Sequence, residues 1–330
     1  MEIYLKRPSG SSPIVIDQFT SFRWRRRYYD IGEFELHITN NETNLNEATA
    51  EPEPIVWFKN SVERGIVESV SVSRDEIALS GRMEAKIMCK TVIPKIIANA
   101  TAPELMKQAF AIIGGTVSDI TSSDKIDLQR RWNTLFDIEA DIAKASNIGF
   151  YVYSNQLYLY SGKDKSIAQD KTESRPDTNP VVFIDEDLDS PVWTLDTTNY
   201  YDFAYVAGEG EGDSRTYYTV GTGNNQIYVD ARDLTKGDQT TAEYKSQLEQ
   251  RGIEKLAERV KTDCFEASIS AGTQWKYKVD WNLGDVVTVQ MSAWNQSKNF
   301  RITEVEEVWE NGNHTIYPVF GDPLPEKITN

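Results

Sequence analysis

Histidine and cysteine are scarce in this chain, whose 330 residues contain two of each. His37 falls on the polar side of a predicted strand and His314 follows a predicted turn, so neither is expected to act as a catalytic base. Cys89 and Cys264 lie far apart with no CxxC pair, which favours two buried free thiols, with one disulfide as the alternative. This composition excludes the usual ligand sets of zinc sites and His-dependent nucleophilic catalysis. We therefore expect no metal, no cofactor and no enzymatic activity.

Long apolar runs are also missing. No stretch approaches the roughly 20 apolar residues that span a bilayer. The first residues do not have the charged-then-apolar order of a signal peptide. We therefore expect no membrane insertion, and synthesis and folding in a cytoplasm.

Positive charge is in deficit, because 35 Lys and Arg residues stand against 51 Asp and Glu, a formal net charge of −16. Tight binding to nucleic acid is disfavoured, since phosphate contacts need clustered basic side chains. An acidic surface repels DNA, which suits a protein that DNA passes without sticking.

Alternation of apolar and polar residues dominates the first part of the chain. Residues 32–38 place Phe34, Leu36 and Ile38 on one side and polar side chains on the other, which is typical of a half-buried strand. Further β-rich runs lie at 19–29, 55–58, 65–72 and 76–79. Short strands at this spacing indicate a small barrel or sandwich.

Helical patterns interrupt the strands. A capping box at 101–104 opens a helix that Gly114 ends, and a second helix begins near Asn133. A third helix, 241–261, opens with the capping box at 240–243 and lies among further strand signals.

The predicted fold class is mainly β (α+β), with two small β-barrel domains, an inserted α/β domain, and one helix within the C-terminal half. We place the first barrel at 1–88, the α/β domain with a polar linker at 89–180, and the second barrel at 181–330. The linker is the polar segment 161–180, which is expected to be exposed.

Several patterns mimic known sites. The acids at 185–189 start like a calcium loop, but Ser190 stands where glycine is needed and Asp196 replaces the bidentate Glu. The alternating glycines at 208–213 lack the Lys and Ser/Thr of a phosphate-binding loop, so a surface loop is predicted. A carboxylate pair of the glycosidase type leaves no spacing signal, and that alternative stays open.

One basic and aromatic cluster stands out. On a strand, Trp24 and Arg26 share one face while Arg25 and Arg27 share the other. Arginines on both faces fit partners for the acidic excess, within the chain or across a subunit interface, better than a nucleic-acid patch. We take these four residues as candidates for a subunit interface.

Several segments together resemble the tail-hub proteins of siphophages and prophages, in order along nearly the whole chain. They are the segments 24–29, 32–36, 206–212 with Arg215, 228–234, 248–256, 277–287, 301–305 and 319–321. The segment 228–234 adds Asp230, Arg232 and Asp233 to the interface candidates.

The resemblance implies a trimeric hub at the tail tip or baseplate of a phage, a prophage or a phage-tail-like bacteriocin, made in the bacterial host cytoplasm. Each subunit is expected to supply two similar tube-type β-barrels, giving a pseudo-sixfold ring. The implied partners are two further copies of the chain, the distal tail protein, the tail tube, the tape-measure protein and a tip, spike or receptor-binding complex. The genome is expected to pass through the lumen without specific binding. The alternative is a tail-tip protein that binds carbohydrate or degrades the cell wall, since 11% of the residues are aromatic.

Overall fold

The computed structural model describes residues 1–7, 12–123, 125–130 and 132–321. By compactness, the described chain divides into two units. Unit 1 comprises Met1–Val192 and Phe265–Gly321, and unit 2 comprises Trp193–Cys264. The division at 88 and 180 predicted from the sequence stays a prediction. None of the described helices is long and apolar enough to cross a membrane.

Strands make up most of the regular structure. In chain order they are β1 (Ile3–Lys6), β2 (Ile14–Ile16), β3 (Phe19–Arg27), β4 (Glu33–Thr39), β5 (Ile55–Phe58), β6 (Gly65–Val72), β7 (Glu76–Met83), β8 (Val92–Ile93), β9 (Ile96–Thr101), β10 (Thr116–Val117), β11 (Lys125–Arg130), β12 (Asn133–Thr134), β13 (Gly149–Tyr153), β14 (Gln156–Tyr160), β15 (Val182–Phe183), β16 (Leu188–Asp196), β17 (Phe203–Ala207), β18 (Tyr217–Gly221), β19 (Gln226–Asp230), β20 (Thr262–Ile269), β21 (Val286–Met291), β22 (Gln296–Glu310) and β23 (Asn313–Phe320). The α-helices are α1 (Glu42–Ala48), α2 (Lys86–Lys90), α3 (Ala102–Phe110), α4 (Leu135–Ser146) and α5 (Thr241–Ala257).

A 13-stranded sheet joins the two ends of the chain. Its strand order is β16-β20-β23-β22-β3-β4-β7-β6-β5-β1-β2, with β21 beside β22 and β15 beside β21. The turn between β22 and β23 contains Asn311 and Gly312 with φ angles of 52° and 79°, as a two-residue type I′ hairpin turn requires. The mainly-β class with an α/β insert is therefore confirmed.

The strands of the two β regions meet at β3. This strand pairs with β4 along one edge and with β22 along the other, both antiparallel. Because both edges of β3 are occupied, the N-terminal strands do not close on it. The 13 strands of the large sheet therefore form one open sheet where two separate closed barrels were expected.

The α/β insert packs α2, α3 and α4 against short strands. Capping boxes hold the starts of α3 and α4, at Thr101 with Glu104 and at Thr134 with Asp137. The buried apolar residues of this region, such as Phe110 and Ile138, belong to the same hydrophobic core as those of β1, β3, β4 and β7. One continuous core therefore supports the sheet and the insert.

Unit 2 is a three-stranded sheet with a helix on one side. In it β17 lies between β18, which is antiparallel, and β19, which is parallel. Ala204, Val206 and Val229 pack with Tyr244 and Leu248 of α5 in a separate small core. The capping box at Thr240 and Glu243 starts α5, as predicted, and the helix ends at Ala257, short of the predicted residue 261.

Candidate functional site

A ladder of paired charges crosses the centre of the large sheet. Arg25 on β3 lies opposite Glu33 on β4 and Glu306 on β22. Its guanidinium is 3.0 Å from the Glu33 carboxylate and 3.6 Å from that of Glu306. Arg27 repeats this arrangement, at 3.1 Å from Glu33 and 3.3 Å from Glu304. Both arginines therefore have carboxylate partners within the chain.

The ladder continues across the next two strands. Glu33 lies opposite Arg82 on β7, and the Arg82 guanidinium donates two hydrogen bonds of 2.8 Å to Glu68 on β6. Acidic and basic side chains thus alternate strand by strand from β22 to β6. Each half-exposed ion pair adds little stability on its own. In the observed registers, however, these acidic side chains lie opposite basic ones and not opposite like charges, which favours this pairing of strands over other pairings.

The opposite face of β3 is buried. Trp24 is 0% exposed and its ring packs 5.4 Å from Phe58 and 6.0 Å from Phe34. Trp24 is therefore a core residue of the chain. Arg26 also points inward, where its guanidinium forms an ion pair with Glu63.

The other three predicted interface residues lie in unit 2. The Asp230 carboxylate accepts hydrogen bonds from the guanidinium groups of Arg232, at 2.6 Å, and Arg215, at 2.5 Å. These bonds, that from Arg232 above all, lower the pKa of Asp230 to about 2. Arg215 also donates to the carbonyl oxygens of Ala207 and Gly208, at 2.9 and 2.8 Å. It thereby ties the predicted glycine loop to the end of β19.

Asp233 has a separate partner. Its carboxylate accepts two hydrogen bonds, of 3.1 and 2.9 Å, from Arg251 of α5. The Tyr244 hydroxyl donates to the Leu234 carbonyl and accepts from the Glu209 amide. The segment after β19 is therefore fastened to α5 by a bidentate ion pair and a buried hydroxyl.

The Asp230 cluster predicts a titration that can be measured. In Arg232→Ala, we expect the pKa of Asp230 to rise from about 2 towards the ordinary Asp value of 3.8, while Arg215 keeps it below that value. In the wild type the stability from this pairing is present above about pH 4 and is lost as the pH falls through the folded pKa. In the variant this contribution is smaller at neutral pH, and the part that Arg215 still supplies is lost at a higher pH than in the wild type. Carboxyl NMR titration measures the shift. Arg251→Ala, which removes the partner of Asp233, is the matched control and leaves the pKa of Asp230 unchanged.

Both histidines are paired with glutamates. The His37 nitrogens lie 3.0 Å from Glu76 and 2.9 Å from Glu35, and the hydrogen bond with Glu76 is the main cause of a raised His37 pKa. The His314 ring stacks on Trp309 at 4.5 Å and lies 3.2 Å from Glu307. His314 is exposed, as expected for a solvated residue after a turn. Its ring stacks on Trp309 because β22 and β23 hold residues 309 and 314 in register.

The acids that mimic a calcium loop are used as local caps. Asp187 accepts hydrogen bonds from the Ile184 amide and the Thr273 hydroxyl, and Asp185 accepts from the Ser292 amide. In the described ranges, no group of three or more His, Cys, Asp or Glu residues is placed to hold a metal ion. The geometry therefore favours the turn interpretation of 185–189.

Sequence reasoning identified the arginines of β3 but not their partners. Glu304 and Glu306 are spaced by two, as Arg25 and Arg27 are, so matching of charge periods was the available signal. Glu63 gave no such signal, because it lies in the turn before β6 and its burial depends on the tertiary fold.

The fold is similar to that of solved prophage tail proteins. The 43 kDa tail protein of prophage MuSo2 from Shewanella oneidensis aligns with a TM-score of 0.61 and 14% identity, covering 97% of this chain and 98% of that one. A tail protein from Neisseria meningitidis aligns with a TM-score of 0.60 and 12% identity, covering 97% and 96%. Prophage tail protein gp18 from Listeria monocytogenes aligns with a TM-score of 0.56 and 10% identity, covering 99% and 96%.

Comparison with curated proteins finds none that matches the sequence. The model of one protein family, described as Siphovirus ReqiPepy6 Gp37-like protein, matches residues 78–322. The resemblance to phage and prophage tail proteins that the sequence segments indicated is thus confirmed. The chain belongs to the Siphovirus ReqiPepy6 Gp37-like family and has the fold of prophage tail proteins.

Proposed function

We propose that the chain is a structural tail-hub subunit, three copies of which form a pseudo-sixfold ring between the tail tube and the tip of a phage tail or tail-like particle. The observation that carries this proposal is the join between β3 and β22, which sets the N-terminal and C-terminal strands side by side in one sheet. With two neighbouring β regions in each chain, a ring of three chains contains six β regions, which matches a pseudo-sixfold arrangement.

The charge ladder supports this arrangement. It pairs Arg25 and Arg27 of β3 with acids on both neighbouring strands, so matched charges favour this register at the join between the two β regions. We further propose that 1–88 and 181–330 act as the two tube-like modules and that 89–180 is the insert carried between them. Arg25, Arg27, Asp230, Arg232 and Asp233 stay candidates for contacts between subunits.

The net charge of −16 supports a passage for DNA. Three copies carry about three times this charge, and the part of it that lines the lumen repels phosphate and prevents sticking. Partners of such a ring are the distal tail protein, the tail tube, the tape-measure protein and the tip complex. A basic lumen in the structure of the assembled ring would count against this part of the proposal.

We propose further that the chain is not an enzyme. Burial raises the pKa of Glu139, Asp285 and Glu304, the behaviour expected of an acid catalyst. Glu139, however, is 0% exposed, Asp285 accepts backbone hydrogen bonds from Lys163 and Asn282, and Glu304 is paired with Arg27. Release of soluble fragments from purified peptidoglycan, abolished by Asp285→Asn, would contradict this proposal.

The mass of the assembled species tests the ring. The chain has a mass of 37.5 kDa, so a trimer of about 113 kDa is expected. Native mass spectrometry and light scattering over a dilution series measure this mass directly. A chain that stays at 37.5 kDa at high concentration, or that stops at a dimer, contradicts the trimeric hub.

A further inference from the structure

A polar groove runs over the surface of unit 1, away from the charge ladder. It consists of two adjoining cavities of about 770 and 510 Å³, both lined by Val62 and Tyr151. We call it the basic groove and define it by Arg64, Val62, Tyr151, Lys163, Lys165 and Arg175.

The groove has the opposite charge to the chain as a whole. Its lining includes six Lys or Arg side chains and two Asp side chains. Three of the cations are in ion pairs: Lys59 with Glu2, Arg26 with Glu63, and Arg175 with Asp177 and Asp280. Arg64, Lys163 and Lys165 provide the remaining positive charge of the lining. Acidic residues outnumber basic ones by 16 in the whole chain, whereas basic side chains outnumber acidic ones in the lining of this groove. The groove is therefore a distinct basic region of the surface.

The lysines of the groove are not neutralised locally. Among the described residues, no carboxylate lies within ion-pair distance of the Lys163 or Lys165 ammonium group. The pKa of Lys165 is lowered, mainly by burial; the charge of Asp285 opposes the shift, and the charges of Arg175 and Lys163 add to it. Lys165 therefore lies within electrostatic range of two other cations and of Asp285. An acidic partner in the groove supplies further negative charge to the lysines.

The aromatic end of the groove has the composition of a protein interface. The Arg64 guanidinium lies over the rings of Trp57 and Tyr153, at 4.9 and 4.8 Å from their centroids. Tyr151 stacks on Tyr158 with ring centroids 5.0 Å apart. Tyr, Trp and Arg are the residues enriched at the centres of protein interfaces. Because these rings already stack on each other or on Arg64, fewer ring faces are free to stack on a sugar.

We propose that the basic groove receives an acidic surface of a second copy of this chain. The inference rests on the proposed ring. A copy of this chain is strongly acidic, with its net charge of −16, and is thus a complementary partner.

The charge of the groove favours a contact with a different surface of the neighbour. A basic groove on a two-fold axis would face its own copy and repel it, whereas an acidic surface elsewhere on the neighbour is complementary. A head-to-tail contact of this kind closes into a ring when the rotation between neighbouring subunits divides a full turn, and a trimeric ring is built from such contacts.

Charge reversal in the groove tests the proposal on the full chain. In Lys163→Glu/Lys165→Glu, we expect the concentration for half-assembly to rise by at least about tenfold, because like charges then face each other across the contact. The matched control is Lys95→Glu/Lys245→Glu, which makes the same change of charge at two exposed lysines outside the groove. Raising NaCl from about 0.15 M to about 1 M is expected to narrow the difference between the two variants, since screening shortens the range of repulsion.

The outcomes separate this proposal from the proposed function. A wild-type ring with equal assembly in both variants overturns the groove contact and leaves the hub intact. A monomeric wild-type chain overturns both.

Because a reversal of charge can also affect folding, circular dichroism of each variant accompanies the measurement. The variant Lys163→Gln/Lys165→Gln removes the positive charges without adding negative ones, and it is expected to weaken assembly less than the Glu variant. Carbodiimide coupling of Lys163 or Lys165 to a carboxylate of a ¹⁵N-labelled copy supports the proposal, and coupling only within one copy contradicts it.

Discussion

Arg26→Met is expected to lower the free energy of unfolding by about 3–5 kcal/mol, as the loss of one partner of a buried ion pair does. The Arg26 and Glu63 side chains are 16% and 5% exposed. Removing the guanidinium leaves the Glu63 carboxylate buried without this counter-ion, while methionine retains most of the apolar length of the side chain. Urea unfolding followed by two probes, with linear extrapolation to water, measures the change.

Arg23→Met on the same strand is the matched control. Arg23 and Glu35 are 54% and 45% exposed and 4.0 Å apart, so the loss of this pair is expected to change stability by no more than about 0.5 kcal/mol. The double variant Arg26→Met/Glu63→Met is expected to recover much of the loss, because neither charge of this pair then remains buried without its counter-ion. Equal losses in Arg26→Met and Arg23→Met would show that the burial of the pair has no special role.

Local signals in the sequence predicted the elements well. The β-rich runs at 55–58 and 65–72 coincide with β5 and β6, and the run at 76–79 is the first part of β7. The capping boxes at 101–104 and 240–243 start α3 and α5. Each of these signals depends only on residues close together in the sequence, so it indicates the element without knowledge of the tertiary fold.

Pairing between distant strands was not predictable in the same way. Period-two alternation indicates which residues of β3 share a face, but it does not identify β22, whose Glu304 lies 277 positions after Arg27, as the neighbour. For the same reason, the choice between partners within the chain and partners in another subunit stayed open for the arginines. The structure identifies the partners within the chain, and contacts between subunits stay a proposal.

The polar linker shows another limit of local patterns. The sequence at 161–180 predicted exposure, and most of it is exposed, but Arg175 is only 3% exposed. Its guanidinium donates to the carbonyl oxygens of Asn179 and Asp280 and lies 5.7 Å from the centroid of the Trp275 ring. A single buried anchor in a polar segment has no periodicity, so composition alone could not reveal it.

The buried carboxyl group of Glu139 leads to the second large effect, in the opposite direction. Glu139 lies one helical turn after Leu135 on α4 and is 0% exposed. Neither of its carboxyl oxygens has a hydrogen-bond partner among the described residues. A buried polar group without a partner destabilises a fold by about 1–3 kcal/mol, and more if it is charged. We therefore expect Glu139→Leu to raise the free energy of unfolding at pH 7 by about 1–3 kcal/mol.

The pH dependence separates charge from polarity at this position. Burial raises the pKa of Glu139 above 4.5, so the unfolded chain releases this proton at lower pH than the folded chain. The folded state is therefore progressively disfavoured as the pH rises from about 4.5 towards the folded pKa. Glu139→Gln cannot ionise and loses this pH dependence, but it keeps buried polar atoms.

We expect the free energy of unfolding of Glu139→Gln to exceed that of the wild type by an amount that grows with pH. Glu139→Leu is expected to be more stable than the wild type even at low pH, because its side chain has neither a charge nor polar atoms. Urea unfolding of the three proteins at pH 4 and pH 7 distinguishes these contributions, and a Gln variant whose advantage does not change with pH would mean that Glu139 has the same pKa in the folded and unfolded chains.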